Sequence, residues 1–490
     1  MKKMWRTVAL ALGVLVGASV APAQTWQPLS NQPGFGAGAM LLLMDGTVLV
    51  HSEQANSQNW YKLTPDAYGS YVNGTWTQIA SMPSGYAPLY FGSAVLPDGR
   101  VIVEGGEYNN LQAVWTNQGA IYNPLANTWA SVAPPSGWKY IGDAAGVVLD
   151  NGTYMQTTCC SKRAALLDPV ALTWSPTGAG KFDVYDEEGL TKLPGGNLLT
   201  VDAYVFQYDP SGTNSEIYDA ATGTWSSIGS TGVQLWDSCN QTSGPSQEVG
   251  PMVLRPDGTV FATGANSCAA GHTAVYDSKT GTWAPGPDFP ATFAASDAPG
   301  ALETNGNVLV MASPLTFKSS SKFFEWNGSS LYVMPEPPGA QKDSSFYGHF
   351  LQLPTGQLLF SDFSNDMEVF TPAGAPSSAW APKVTKAPKN VRRGSSYSLS
   401  GTLLNGMSEG ASYGDDYQSA TNYPIVRLVN NASGHVFYCR AHDRDNAGVA
   451  TGGTVITTAF DVPANAEAGA SQLYVVANGI ASAPVAVSVQ

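Results

Sequence analysis

A short unit of apolar strand, tight turn and apolar strand recurs along the first three quarters of the chain. The segments read MDGTVLV, PDGRVIV, DNGTYMQ, PGGNLLT, PDGTVFA, TNGNVLV and PTGQLLF. Asp-Gly and Asn-Gly pairs between apolar runs are strong hairpin signals. The turn glycines are Gly46, Gly99, Gly152, Gly196, Gly258, Gly306 and Gly356. Their spacing of 44 to 62 residues predicts seven repeated β-sheet units.

Two further strand signals follow most of these hairpins, a tyrosine for the third strand and Thr-Trp for the fourth. The fourth-strand tryptophans are Trp76, Trp129, Trp174, Trp225 and Trp283. A four-stranded unit with one buried face must stack on neighbours, and seven such units close into a β-propeller. Trp26 lies in one more fourth-strand signal before the first hairpin, so the N-terminal strand is expected to complete the last unit. An open β-array or a sandwich is the alternative.

The strand pattern changes after about residue 385. Short alternating strands follow at YPIVRLV, HVFYCRA, TVITTAFDVP and QLYVVAN. A run of this length and pattern predicts an immunoglobulin-like β-sandwich. The sequence therefore predicts an all-β chain with a seven-bladed propeller over residues 24–385 and a sandwich over residues 386–490.

The first residues, MKKMWRTVALALGVLVGASVAPAQ, combine basic residues, a short apolar run and a small-residue Ala-Pro-Ala site. This combination predicts a secretory signal peptide over residues 1–23. The apolar run is short for a membrane span, and no later stretch is long enough for one. We therefore expect a secreted protein, extracellular or periplasmic, with no membrane span after signal cleavage.

The composition and the net charge exclude several classes of partner and of chain. The formal net charge is −14, and only 12% of the residues are charged. An acidic surface argues against nucleic acid and anionic membranes as partners. A hydrophobic fraction of 43% excludes a disordered chain, and 52 glycines with 33 prolines are typical of a turn-rich β-protein.

Export makes disulfide bonds available to the five cysteines. None of their spacings is typical of a zinc site. Cys239 and Cys268 flank the inner hairpin of one unit on the same side, so we predict a disulfide between them. Cys159 and Cys160 are adjacent, and either a vicinal disulfide or two separate thiols fits the sequence. Cys439 is expected to be a buried strand residue.

The repeat length, the turn glycines and the Tyr and Trp positions resemble kelch repeats. A seven-bladed kelch propeller joined to a C-terminal early set sandwich resembles the galactose oxidase and glyoxal oxidase family along nearly the whole chain. The resemblance implies an alcohol or aldehyde oxidase with one copper ion and a tyrosyl radical. In that family the radical tyrosine is cross-linked to a cysteine, and the other ligands are a second tyrosine, an adjacent histidine and a histidine from a sandwich loop.

Counting nine residues back from each turn glycine gives one position per unit where the inner strand begins, at the mouth of the propeller. These ring positions are Ala37, Tyr90, Asp143, Glu187, Val249, Asp297 and Tyr347. By resemblance, Tyr90 occupies the radical-tyrosine position. The cross-linking cysteine is replaced by Ala37, so the thioether cannot form there.

The other family positions are also replaced. The tyrosine–histidine pair corresponds to Phe346 and Tyr347, and the stacking tryptophan corresponds to Tyr108. The sandwich-loop histidine falls near Asp415 and Asp416. Copper prefers imidazole and soft ligands, whereas carboxylates suit hard cations. Copper is therefore disfavoured as a cofactor.

The same resemblance implies that the segment GASYGDDYQSATNYP, residues 410–424, descends from the sandwich onto this ring, carrying acids instead of histidine. The ligand-binding residues expected at the mouth are Tyr90, Tyr108, Asp143, Glu187, Glu188, Glu248, Asp297, Tyr347, Tyr413, Asp415 and Asp416. Converging carboxylates are costly to bury unpaired.

Three kinds of partner would offset that cost. The first is calcium, which takes carboxylate oxygens. The calcium ligands would be Asp143, Glu187, Asp297 and Asp416. The second is a nearby cationic side chain, Arg427, Lys192 or Arg163. The third is a hydroxyl-rich ligand such as a carbohydrate.

The sequence therefore favours a binding protein of the cell exterior, with carbohydrate or another polar molecule as ligand and calcium as the candidate cofactor. One alternative is a copper radical oxidase with rearranged ligands, using Tyr90, Tyr347 and His349. Another is a glycoside hydrolase with two catalytic carboxylates at the same mouth. A third is a structural scaffold in which the acids only hold the loop.

Overall fold

The computed structural model describes residues 24–53, 57–239 and 245–490. The described chain is all β apart from two short 3-10 helices, Ala340–Lys342 and Ser345–Tyr347. Within these ranges, no helix is both long and apolar enough to cross a lipid bilayer. The predicted signal peptide, residues 1–23, lies outside the described residues.

Within the described ranges, seven antiparallel sheets follow one another, each with a four-stranded meander that is typical of propeller blades. We number them in the order of their first strands. Sheet 1 contains the strands Ala37–Leu42, Val48–Ser52, Trp60–Thr64 and Thr75–Gln78, and sheet 2 contains Gly92–Val95, Val101–Glu104, Gly119–Asn123 and Thr128–Val132. Sheet 3 contains Gly146–Val148, Tyr154–Thr157, Ala164–Asp168 and Thr173–Thr177, and sheet 4 contains Thr191–Lys192, Leu198–Val201, Asn214–Asp219 and Thr224–Ser230. Sheets 5 to 7 contain Val249–Leu254, Thr259–Gly264, Thr273–Asp277 and Thr282–Pro285; Gly300–Leu302, Val308–Pro314, Lys322–Trp326 and Leu331–Met334; His349–Gln352, Leu358–Ser361, Glu368–Thr371 and Thr25–Pro28.

The turn glycines close the first hairpin of every sheet. All seven have positive φ, between 76° and 92°. In the first of them, the Gly46 amide donates to the Leu43 carbonyl at 2.9 Å. Glycine adopts this backbone conformation at little steric cost, which explains why the turns could be predicted from the glycines in the sequence.

Sheet 7 combines the two ends of the repeat region. Its fourth strand, Thr25–Pro28, pairs with Glu368–Thr371 and sets Trp26 opposite Phe370. The Trp26 ring packs against Phe323 at 5.2 Å. The N-terminal strand therefore completes the last sheet, as its Thr-Trp signal predicted.

The first strands lie on the inside of the assembly. Those of sheets 7, 1, 2 and 3 contact one another in that order, and so do those of sheets 4, 5, 6 and 7. On the outside, some of the fourth-strand tryptophans hydrogen-bond to a segment that precedes their own sheet. Trp129 Nε1 donates to the Ala80 carbonyl at 3.0 Å, and Trp174 Nε1 donates to the Ala133 carbonyl at 2.7 Å.

A separate set of nine strands follows the seventh sheet, with neighbours hydrogen-bonded throughout. Its strands are Lys383–Lys386, Asn390–Val391, Ser396–Thr402, Ile425–Asn430, Val436–His442, Val455–Asp461, Gly469–Ala477, Ile480–Ala481 and Val485–Val489. This region packs on the end of sheets 1 and 2 that carries the turn glycines. The Ala441 amide donates to the Met44 carbonyl at 3.0 Å, and the Asp443 amide donates to the Pro97 carbonyl at 2.9 Å.

Residues 410–424 cross the space between the first strands and reach the opposite end. The short strand Ala411–Ser412 pairs with the first strand of sheet 6. Further along, the Tyr417 amide donates to the Phe91 carbonyl at 3.0 Å, and Ser419 Oγ donates to the Phe350 carbonyl at 3.0 Å. The predicted descending loop is therefore present, and we call it the crossing loop. Beside its far end lies a small sheet of Pro88–Leu89, Tyr108–Asn109 and Gln112–Ala113.

Candidate functional site

Three carboxylates from distant parts of the chain meet at the far end of the crossing loop. Single oxygens of Glu187, Asp297 and Asp415 all lie within 4.8 Å of one another. Glu187 and Asp297 precede the first strands of sheets 4 and 6, and Asp415 is on the crossing loop. We call these three residues, together with Glu248 and Asp416, the acidic mouth. Because Glu187 and Asp297 are only half-buried, this end of the central space reaches solvent.

Burial, above all, raises the pKa of each carboxyl group of the acidic mouth. Glu248 hydrogen-bonds to both Glu187 and Asp297, and burial together with these neighbours raises the pKa of Glu248. Burial and then the charge of Asp415 raise the pKa of Asp297 to about 8. Burial also raises the pKa of Asp415 to about 6. A shared proton is the way two carboxylates can lie in contact, and a cation would replace it.

Two oxygens at the acidic mouth are buried without a partner. Asp416 Oδ1 and Glu248 Oε2 have no hydrogen bond from any residue that the structure describes. Asp416 is 2% exposed and Glu248 is 7% exposed. Leaving a buried acceptor unpaired costs about 1–3 kcal/mol. The protein's own atoms therefore do not satisfy this site.

Backbone strain is concentrated at the same place. Tyr90, Glu187 and Asp297 have φ values of 53°, 62° and 39°, and Tyr417 on the crossing loop has a φ of 42°. Left-handed backbone costs about 1–3 kcal/mol at residues other than glycine, and such residues cluster at functional sites. Three of the seven ring positions are thus strained where their side chains meet the loop.

A second group of acids extends the mouth toward sheets 2 and 3. Burial, and then Asp415, Glu107 and Asp186, raise the pKa of Asp143 well above its usual value. Burial and Asp415 raise the pKa of Glu107 to about 7 and that of Asp186 to about 7. The sequence analysis missed Glu107 and Asp186. The signal that would have found Asp186 is the run Asp-Glu-Glu that includes Glu187.

Glu188 was expected at the mouth, and the structure places it elsewhere. Its carboxylate lies 3.0 Å from Lys181 Nζ, in a buried cluster with Asp183, Asp202 and Glu216. Glu188 follows Glu187 directly, and the left-handed backbone of Glu187 turns the chain there, so the two side chains reach different groups. The group of Asp183, Asp202 and Glu216 has metal-like spacing, but Lys181 already provides its cation.

No ion pair joins the acidic mouth to a cationic side chain within the described ranges. Lys192 Nζ donates to the Ala447 carbonyl at 2.8 Å. Arg427 lies over the Tyr474 ring, and Arg163 lies over the Trp138 ring. The cationic partners considered from the sequence therefore serve other contacts.

The aromatic residues expected at the mouth line its other side. Tyr90 packs against Tyr108 at 5.8 Å and against Tyr417 of the crossing loop at 5.5 Å. Tyr413 is buried, and its hydroxyl donates to the Phe346 carbonyl at 2.7 Å. Tyr90 also borders a cavity of about 460 Å³. The cavity is lined by Glu53, Leu89, Tyr90, Asp343, Phe346, Tyr347, Asp362, Phe363 and Ser364. We call it the mouth cavity.

The donor set does not fit the copper site of the resembling family. Ala37 stands where that site needs a thiol. His349 is buried and stacks on Tyr413 at 5.4 Å, and its Nε2 has no partner among the described residues. Both ring nitrogens of His51 are already engaged, with Glu53 and with the Ser57 carbonyl. One open imidazole among many carboxylates suits a hard cation better than copper.

Four of the five cysteines lie on loops close to the acidic mouth, and Cys439 lies in the C-terminal region. Cys239 and Cys268 form a disulfide that joins the loops on either side of the first hairpin of sheet 5. Cys159 Sγ and Cys160 Sγ lie 3.0 Å apart as free thiols. Cys159 contributes to the surroundings of Asp143, because the Asp143 charge helps to raise the pKa of the Cys159 thiol. Cys439 is buried in a strand.

Comparisons with known proteins support the repeat type and do not identify a family. No family model matches the chain. The Kelch-like protein terF of Aspergillus terreus is 31% identical over 86 residues, a match that covers 17% of this chain and 18% of that protein. The chain therefore matches less than a fifth of the length of this curated relative. The similarity supports kelch-type repeats.

Three of the solved structures with some similarity to this chain differ in what their titles describe. They are virginiamycin B lyase from Staphylococcus aureus (11% identity, TM-score 0.46, 71% of this chain and 99% of that one), YjhT (15% identity, TM-score 0.43, 63% and 99%), and the extracellular domain of the putative hybrid two component system BT4673 from B. thetaiotaomicron (9% identity, TM-score 0.47, 71% and 39%). At these TM-scores the similarities carry no argument about function.

Proposed function

We propose that this chain is an exported, seven-bladed kelch-type propeller with an early-set-like sandwich, and that it binds a polar ligand of the cell exterior at the acidic mouth. The ligand is a carbohydrate or another hydroxyl-rich molecule, and a divalent cation such as calcium accompanies it. One observation carries this proposal. Glu187, Asp297 and Asp415 converge within 4.8 Å at a solvent-reaching end of the channel without a cationic side chain paired to them in the described ranges.

Calcium suits the composition of this site. It takes six to eight oxygen ligands in flexible geometry, and the three carboxylates supply up to six oxygens. Glu248, hydrogen-bonded to Glu187 and Asp297, offers a further oxygen close by. A bound divalent cation would neutralise the charges whose mutual repulsion raises these pKa values.

The neighbouring mouth cavity supports a saccharide as the organic ligand. Carboxylate oxygens accept hydrogen bonds from hydroxyl groups, and aromatic faces cover the apolar side of a ring. Tyr90, Phe346, Tyr347 and Phe363 provide such faces, and Glu53 provides a carboxylate. The lining of the cavity therefore includes both kinds of group that recognise polar rings.

Calorimetric titration with calcium tests the proposal. We expect one site on the wild-type protein, and we expect the pair of substitutions Asp297→Asn and Asp415→Asn to weaken binding at least tenfold. Asp288→Asn is the matched control, because Asp288 is an exposed acid beside His272, away from the mouth. Equal calcium affinity of the double variant and the control would overturn the proposal.

Copper loading followed by dialysis distinguishes a copper oxidase from the proposed binding protein. We expect less than stoichiometric copper, because the mouth lacks the thiol and because both histidine positions of the family site hold other residues. Near-stoichiometric copper, together with peroxide release from simple alcohols or aldehydes, would favour the oxidase instead.

A further inference from the structure

We propose that the mouth cavity selects a saccharide that carries an ammonium group, an amino sugar, over neutral sugars of the same linkage. This inference rests on the proposed function, since it names the class of saccharide that the same site takes. It depends on three features of the cavity, namely its aromatic walls, its carboxylate pair and one unpartnered carboxylate oxygen.

The aromatic residues form a continuous wall. The ring of Phe363 lies 6.4 Å from Tyr90 and 5.1 Å from Tyr347, and Tyr347 lies 4.2 Å from Phe346. The cavity of about 460 Å³ falls in the size range of small-ligand sites and admits one or two sugar rings. Aromatic faces attract cations by their quadrupole, so the wall favours a ring that bears an ammonium group.

Two carboxylates in the cavity lining have no ion pair with a cationic side chain of the described residues. Asp343 and Asp362 line the cavity and hydrogen-bond to each other, which requires a shared proton. Burial and then Asp362 raise the pKa of Asp343 to about 7, while Lys342 lowers it only slightly. The other charged groups near Asp362 are Asp366 and Glu368, which are also acids. With one shared proton the pair keeps one negative charge, which an ammonium group can neutralise.

The third carboxylate provides a place for hydroxyl groups. Glu53 is 3% exposed and lines the cavity. Its Oε1 accepts from His51 Nδ1 at 2.7 Å and from the Tyr417 hydroxyl at 3.3 Å, whereas its Oε2 has no partner among the residues that the structure describes. The second ring nitrogen of His51 lies against the Ser57 carbonyl, so contacts on both sides of the ring hold His51 in place beside Glu53. Glu53 therefore accepts a ligand hydroxyl, and Asp343 with Asp362 holds the ammonium group.

A metal ion fits this cavity less well than an organic cation. Four of its lining side chains are aromatic, and the space far exceeds that of one ion. A neutral sugar would satisfy Glu53 but would leave the one negative charge of the Asp343–Asp362 pair without a cation. No lysine, arginine or histidine lines the cavity in the described ranges. The preference for positive charge therefore comes from the cavity itself.

Three β-1,4-linked tetrasaccharides that differ only at carbon 2 isolate the charge. They carry a hydroxyl group (cellotetraose), an N-acetyl group, or an ammonium group (the glucosamine tetramer). In calorimetric titrations at pH 7, we expect the glucosamine tetramer to bind at least tenfold more tightly than either neutral tetramer, the size expected for a charge-assisted hydrogen bond with a cation–π contact. Equal affinity for all three would overturn the inference and leave the proposed sugar site standing. Binding of none of them would overturn both.

The paired substitutions Asp343→Asn and Asp362→Asn should reduce this preference to less than threefold while neutral tetramers still bind. A diffuse attraction between an acidic protein and a cationic sugar would survive these changes, and that result would overturn the inference. Tyr347→Leu provides a second variant without a change of charge, and we expect it to weaken the glucosamine tetramer at least threefold. Asp288→Asn should leave all affinities unchanged.

Discussion

Replacing Lys181 by methionine should destabilise the protein through electrostatics alone. The Lys181 side chain is fully buried and touches four carboxylates, those of Asp183, Glu188, Asp202 and Glu216. Burial by itself would lower the pKa of Lys181, but the carboxylates outweigh it and raise that pKa well above its usual value. Methionine keeps most of the volume and removes the charge. The four acids then remain buried without their cation.

The size of the effect follows from the burial of the cluster. Removing one partner of a buried ion pair costs about 3–5 kcal/mol, because the other charge stays uncompensated. The entropy of unfolding is about 2.1 cal/mol/K per residue, which gives about 1 kcal/mol/K for a chain of 490 residues. We therefore expect the Tm of Lys181→Met to fall by about 3–5 °C at pH 7, measured by differential scanning calorimetry.

The loss of the lysine charge also predicts how the difference in Tm changes with pH. Without the lysine charge, the folded variant binds more protons at these carboxylates than the wild-type protein does. Stability rises on acidification wherever the folded state binds more protons than the unfolded state. The difference in Tm between variant and wild type should therefore shrink from pH 7 to pH 5.

An exposed lysine, Lys162, provides the control. Lys162→Met removes an exposed lysine that contacts only the Phe182 carbonyl in the described structure, and we expect a change in Tm below about 1 °C. A fall for Lys181→Met no larger than that of the control, or a difference that grows on acidification, would refute the charge argument.

Three further results are expected. Calcium affinity should fall at least tenfold from pH 8 to pH 5, because protons compete at groups such as Asp297, whose pKa is raised to about 8; a pH-independent affinity in calorimetry would contradict this. Oxidised glutathione should convert Cys159 and Cys160 into a disulfide, and it is itself reduced to two molecules of glutathione by the two electrons and two protons. Alkylation after denaturation, read by mass spectrometry, should then label Cys439 alone, whereas three labelled thiols would show that the pair stays reduced. Trp26→Ala should lower the free energy of unfolding by about 3 kcal/mol in urea denaturation, since its ring packs against three phenylalanines; a loss below about 1 kcal/mol would mean that the N-terminal strand contributes little.

The repeated elements could be predicted because each depends on local chemistry. The turn glycines need positive φ, and the fourth-strand tryptophans recur at fixed places in each unit. Counting back from those glycines placed Asp143, Glu187 and Asp297 near one another, and the structure brings Glu187 and Asp297 together with Asp415. The position of the crossing loop came from the resemblance alone and not from its residues.

The parts that could not be predicted depend on backbone turns outside the strands. Alternation along a strand assigns sides to residues, but Glu187 has left-handed backbone, and Glu188 beside it turns away toward Lys181. The calcium ligands expected from the sequence included Asp416, whereas Asp415 lies with Glu187 and Asp297. Asp343 was missed because it follows a short 3-10 helix, where the strand periodicity no longer applies.

A crystal structure of the protein soaked in manganese, a hard cation with measurable anomalous scattering, tests the central claim most directly. The account predicts one strong anomalous peak among the carboxylates of Glu187, Asp297 and Asp415, lost again on soaking in excess calcium. Well-ordered crystals with no peak at the acidic mouth, or a peak only on the Lys181 cluster or at His349, would contradict it.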